Sequence, residues 1–153
     1  MGPEGYDFVE QTFLSIANEY LGFAWRYTPF DRLRRVSLAD IWILRENHQV
    51  VGYAFAHADQ TLLAVSNLVL QPGTDAAEAL AAIAAELKSN YIQVKISRPV
   101  EIASLRRAGY HVAHPSWDAF MVKPLVPEVT VEDAQRLFGI GTDRFLISWL
   151  DVT

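Results

Sequence analysis

Cysteine is absent from the 153-residue chain, which excludes disulfides, thiolate metal sites and cysteine nucleophiles together. No apolar run approaches the roughly 18 residues of a membrane span. Positive charge is scarce: 13 Lys and Arg stand against 18 Asp and Glu, a net charge of −5. That balance argues against a nucleic-acid partner, whose affinity comes largely from cations that neutralise phosphates. Glu4, Asp7 and Glu10 stand where an export signal would be basic, and Tyr6 stands where a myristoylation motif needs Ser or Thr. There is no G-x-S-x-G elbow, no P-loop and no H-E-x-x-H. The expectation is a cytoplasmic protein with neither nucleic acid nor membrane as partner.

What is present is an ordinary globular composition, 51% hydrophobic and 20% charged, at the length of one domain. Phe8, Phe13, Leu14, Ile16 and Ala17 recur at helical spacing and predict a helix over 6–20, with a shorter one after Pro29. Tyr20, Phe23, Trp25, Tyr27 and Phe30 crowd the connection between the helical start and the sheet, where aromatics either pack the core or line one wall of a cleft. The period then changes. Apolar segments at 41–44, 50–56 and 61–70, separated by Glu46-Asn47-His48 and Asp59-Gln60, predict a three-stranded meander. Their apolar residues alternate onto both sides, so helices should cover both faces of the sheet.

Asp75 to Leu87 is alanine-rich, carries the stripe Leu80, Ile83, Ala84 and Leu87, and predicts a helix stopped by Ser89-Asn90. Tyr91 to Ile96 alternates as a strand. Pro99 opens a helix that should end at Gly109 in a left-handed turn. Strands are expected at 110–112 and 118–123. Beyond Pro127, Thr130 and Asp133 have capping-box spacing for a short helix ending at Gly139. Gly139 to Arg144 then reads as a helix stop and turn, and 144–150 as a final strand. The expected organisation is a domain over 1–126 with a helix-strand extension, 127–153, packed on it. The final strand is apolar on both faces, so it should pair within its own sheet or with a second subunit to make a homodimer.

The order helix, helix, meander, helix, strand, helix, strand, strand resembles the GNAT superfamily of acyl-CoA-dependent N-acyltransferases over residues 6–125. Leu68-Val69-Leu70-Gln71-Pro72 is similar to the end of that family's fourth strand, Asp75–Leu87 to its cofactor helix, and Ala103-Ser104-Leu105-Arg106-Arg107-Ala108-Gly109-Tyr110 to its second motif. The resemblance implies an α/β fold with a mixed sheet. It also implies that Leu68, Val69 and Leu70 would meet the pantetheine arm, and Ala76 and Ala77 the pyrophosphate, of any acyl-CoA bound here. Two departures count against such binding. The family's arginine and glycine-rich loop is replaced: Asp75 stands for the arginine, and Ala76 and Glu78 for two glycines. Leu105 stands where many members carry an acid tyrosine. Asp75 and Glu78 also have capping-box spacing, so a carboxylate should sit where phosphate would.

Ser66, Asn67 and His57 are the candidate catalytic residues. Ser66 and Asn67 interrupt the third strand, where polar side chains either face a substrate or bond neighbouring backbone at a bulge. His57 is either a base, since imidazole titrates near neutrality, or a solvated strand-end residue. His111 and His114 have no third ligand nearby, so no metal is expected. The expected function is a GNAT-like module that binds a small-molecule ligand or a protein and has no cofactor. The alternative is an active N-acyltransferase that moves an acetyl group from acetyl-CoA to a small amine.

Overall fold

The computed structural model describes residues 4–17, 37–96, 98–111, 128–139 and 142. Helix α1 is Glu4–Ala17. A single 3₁₀ turn, Leu38–Asp40, leads into β1, Ile41–Glu46, then β2, Gln49–Asp59, and β3, Leu62–Leu70. Helix α2 (Ala76–Glu86), β4 (Tyr91–Val94) and α3 (Pro99–Arg107) follow, and α4 is Val131–Phe138. The strands form one sheet in the order β1-β2-β3-β4, antiparallel along the meander and parallel between β3 and β4. The fold class is α/β with a mixed sheet, as the period changes predict.

The first hairpin is tight because Asn47 and His48 both take positive φ, 48° and 67°, the conformation that matches strand twist in a two-residue turn. In β3 the ladder slips between Phe55 and Ala56, so that Ser66 is the extra residue of a bulge. The slip shifts the inside-outside phase of the strand by one residue. Leu63 and Val65 before it, and Leu68 and Leu70 after it, consequently share one face with Ala54 and Ala56. That face packs on Ala76, Leu80, Ile83 and Ala84 of α2 and on Leu105 of α3. Each of the fully buried aliphatic side chains contributes about 1.5–3 kcal/mol.

The opposite face buries Tyr53, Phe55, Asn67 and Val69 on the side where α1 lies against β2. Val9 and Thr12 of α1 are buried, and the Arg45 guanidinium lies 5.4 Å from the Phe8 ring centre. Helices therefore flank both faces. Further along that second face His57, Leu62, Ala64 and Tyr91 are exposed.

Gly52 is required by the β2–β3 contact. A Cβ there would lie 2.2 Å from the Val69 carbonyl oxygen and 3.0 Å from Leu70 Cα, both backbone atoms that cannot swing away. Gly52→Ala is expected to destabilise the protein by about 1–3 kcal/mol in urea unfolding. An unchanged midpoint would show that the two strands can part at no cost.

Helix ends differ slightly from expectation. α2 is closed one residue before Ser89-Asn90, by Lys88 at φ 53°; Ser89 N–H reaches Ala84 O and Lys88 N–H reaches Ala85 O. This is a Schellman closure with lysine in the place that usually holds glycine. α3 closes the same way with Gly109 at φ 88°, as expected. α4 has the expected capping box between Thr130 and Asp133 and ends at Gly139, φ 66°. β4 pairs only to Val94, and Tyr110 and His111 are in no strand. Among the described residues no helix is long and apolar enough to cross a membrane. The expected helix after Pro29, the aromatic cluster 20–30, the strands at 118–123 and 144–150, and hence the homodimer through the last strand, lie outside the described residues.

Candidate functional site

Between β3 and α2 the chain makes a four-residue turn, Gln71-Pro72-Gly73-Thr74, with Thr74 N–H donating to Gln71 O at 3.1 Å. Pro72 presets the first corner, and Gly73 at φ 91° supplies the second, a type II arrangement. Asp75 then caps α2 from an extended backbone, φ −79° and ψ 120°. Its Oδ1 accepts from Ala77 N–H at 2.8 Å and Glu78 N–H at 3.1 Å. Ser104, from α3, donates its hydroxyl to the same carboxylate, 2.9 Å from Oδ1 and 3.0 Å from Oδ2. The α2 N-terminus is thus bonded by a carboxylate of its own chain, and that carboxylate also ties α2 to α3.

Asp75 is held below the usual carboxylate range, chiefly by the Glu78 N–H; the Ser104 and Ala77 bonds and the Arg107 charge add to this against the cost of burial. A lowered value means that the cap's contribution is complete above 3.8 and is lost only as pH falls through the folded value. At neutral pH the site carries a full negative charge.

The edge of β3 beside this turn is distinctive. Ladder pairing with β4 stops at Val65 and Val94, with Lys95 N–H reaching Val65 O at 3.4 Å, while β3 continues to Leu70. Gln71 N–H donates to Val51 O at 2.8 Å. Because antiparallel pairs alternate, that bond sets Val69 and Asn67 to exchange bonds with β2 and turns the backbone of Leu68 and Leu70 toward the other edge. Among the described residues, no group pairs there with the N–H and C=O of Leu68, whose exposure is 3%. Of the expected cofactor residues, Leu68, Val69 and Leu70 therefore line or adjoin this edge. Ala76 is buried at the start of α2, and the N–H of Ala77 is already bonded by Asp75.

The expected catalytic residues are placed differently. Ser66 is the bulge residue, and its hydroxyl donates to Phe55 O at 3.4 Å. Asn67 is buried on the α1 face. His57 lies inside β2 rather than at its end, 69% exposed, with Nδ1 2.9 Å from Asp40 Oδ1. Ser66 and His57 thus bond different partners. Sequence reading missed Asp40 and Ser104 because both contacts span long separations, 17 and 29 residues. The bulge had a signal: apolar residues change phase between Val65 and Leu68.

The Asp40 hydrogen bond, then its charge, raises His57 above 6.5, with a smaller push from Asp59. A raised value makes this contact favourable below 6.5 and lost as pH climbs through the folded value. Following the His57 ring by NMR should give a midpoint above 6.5 that falls back in Asp40→Asn. Identical midpoints in the two proteins would mean that the contact does not persist in solution. Among the described residues no group of three His, Asp or Glu could hold a metal ion.

No family model and no curated protein matches the sequence. Among solved structures the chain is similar to "Putative acetyl transferase from Pyrococcus furiosus", at 16% identity and a TM-score of 0.47, over 81% of this chain and 96% of that one. It is also similar to "Putative acetyltransferase from GNAT family from Bacteroides thetaiotaomicron", at 17% identity and a TM-score of 0.38, over 69% of this chain and 61% of that one.

Proposed function

We propose that the chain is a GNAT-like domain that has given up its diphosphate site and serves as a ligand-binding or protein-interaction module. The observation that carries this reading is the Asp75 carboxylate, bonded to Ala77 N–H, Glu78 N–H and Ser104 Oγ. Free N–H groups and the positive end of a helix dipole are what make such a terminus an anion site. Here the Ala77 and Glu78 donors are used, and the Asp75 carboxylate at the terminus is negative. Glu78, exposed in the first turn, adds a second carboxylate. Thermal unfolding with acetyl-CoA or CoA tests the reading. A ligand at 100 times its dissociation constant stabilises by about 2.7 kcal/mol; no shift at millimolar ligand is expected, and a clear one would defeat the proposal.

A second reading, acyl transfer from acetyl-CoA to a small amine, is favoured by one observation, the Asp40–His57 pair. An oriented imidazole could take the amine proton on Nε2. On that reading Leu68, Val69 and Leu70 hold the donor.

A further inference from the structure

The margins of the described sheet differ in what they can accept. β4, at one margin, is four residues long and alternates, with Tyr91 and Gln93 exposed on one face. β1, at the other, opens with Ile41-Trp42-Ile43-Leu44, all buried or half-buried, so apolar side chains flank it on both faces. Trp42 and Leu44 pack toward the α2 side, and Ile41 and Ile43 alternate to the side of α1. Among the described residues β1 pairs with β2 alone.

The outer backbone of β1 follows from that of its partner. Tyr53 and Phe55 exchange bonds with β3, as the Gln71–Val51 bond requires, so Gly52 and Ala54 turn theirs to β1. Their partners Leu44 and Trp42 are thereby bonded, and the N–H and C=O of Ile43 point to the outer edge. Edges of natural sheets carry charge, proline or a bulge that blocks further pairing. Residues 41–44 carry none of these: the first charge is Arg45, and the register shift falls between Leu44 and Arg45, past the apolar part. An edge built this way is a template for another strand. The Trp42 indole adds a second demand, because its Nε1 is buried with no hydrogen-bond partner among the described residues.

The chain holds a segment of matching character. Residues 144–150, outside the described residues, are apolar on both faces: Phe145, Ile147 and Trp149 on one, Leu146, Ser148 and Leu150 on the other. Such a segment would leave one face unmatched beside β4 but neither face unmatched beside β1. Reach is not limiting. Four strands at about 4.8 Å spacing span roughly 15 Å, whereas residues 112–127 alone extend to about 50 Å. A tethered segment also meets the edge at an effective concentration of about millimolar, far above that of a second copy at micromolar protein.

We propose that residues 144–150 form a strand on the outer edge of β1, within the same chain, with Ser148 on the α2 face beside the Trp42 indole. Ser148 is the one hydroxyl of the segment, and it gives Nε1 an acceptor.

NMR on the full wild-type chain tests this. Amide hydrogen exchange reads the edge: Ile43 should exchange roughly a hundredfold or more slowly than an open peptide, with Trp42 and Leu44 as controls bonded to β2. Nuclear Overhauser contacts identify the occupant, and a mixture of isotope-labelled and unlabelled chains separates contacts within one chain from those between two. Contacts from Ile43 to 145–149, and from the Trp42 indole N–H to Ser148, are expected within one chain. An Ile43 amide that exchanges freely while Trp42 and Leu44 are protected would overturn the inference by showing the edge open. The same contacts arising between chains would hand the edge to a second copy, and contacts to another segment would give it a different occupant; either result overturns the inference. Ile147 in place of Ser148 beside Trp42 would overturn the facing of the strand.

Discussion

Glu101→Ala is expected to cost the protein about 3–5 kcal/mol, the largest single loss among the polar residues described. Arg98 and Glu101 flank the start of α3, their side chains 7% and 4% exposed, with Nη1 2.8 Å from Oε1. Two charges have been taken out of water there, and this contact is one that offsets their burial. Removing the carboxylate takes a hydrogen-bonded counter-charge away from a buried guanidinium that stays ionised at any useful pH. Glu101→Gln should cost less, because an amide oxygen still accepts from Nη1. The double change Arg98→Met with Glu101→Leu should recover most of the loss, because an apolar pair carries no desolvation penalty. Urea unfolding measures all three. A loss below about 1 kcal/mol for Glu101→Ala would place the pair with ordinary surface salt bridges and show that water reaches it.

The second large effect is a gain. Asp75→Arg combined with Glu78→Gly should raise affinity for coenzyme A by roughly a hundredfold or more. Two unit charges 4 Å apart interact by roughly 4 kcal/mol at an effective dielectric of 20, near three decades in affinity, and solvent at these exposed positions reduces that. The change also reopens the Ala77 and Glu78 N–H groups, now bonded to the Asp75 carboxylate. It has a structural cost: loss of the cap removes about 1 kcal/mol, and the Ser104 tie to α3 goes with it. A melting temperature lower by roughly 2–4 °C should therefore accompany tighter binding. Calorimetry of the double variant beside the wild type decides it, and equal affinities would mean that the carboxylates do not control the site.

The parts of this fold that were legible in the sequence depend on neighbours along the chain. The Asp75 cap, the Thr130–Asp133 box and the Gly109 and Gly139 closures are each set within a few residues. The meander was legible because its apolar segments are short and its breaks polar. What escaped was long-range or conditional. Ser104 bonds a residue 29 positions away, and Asp40 reaches His57 only because β1 and β2 lie side by side. Lys88 closes α2 although lysine has no preference for positive φ, because the Ser89 and Lys88 amides find carbonyls there. The spacing of Arg98 and Glu101 is visible in the sequence, but their burial comes from the packing of α3. The candidate site divides along the same line: its helix cap was readable, while the edge at Leu68 follows from where β4 stops pairing.

The most direct measurement is a calorimetric titration of the wild-type chain with acetyl-CoA at neutral pH and low salt. If the Asp75 carboxylate holds the N-terminus of α2, no saturable binding appears below roughly millimolar ligand, about −4 kcal/mol or weaker. A dissociation constant in the low micromolar range, about −8 kcal/mol, would contradict the account, because a bound diphosphate would have to displace the hydrogen bonds that Asp75 makes to Ala77 and Glu78.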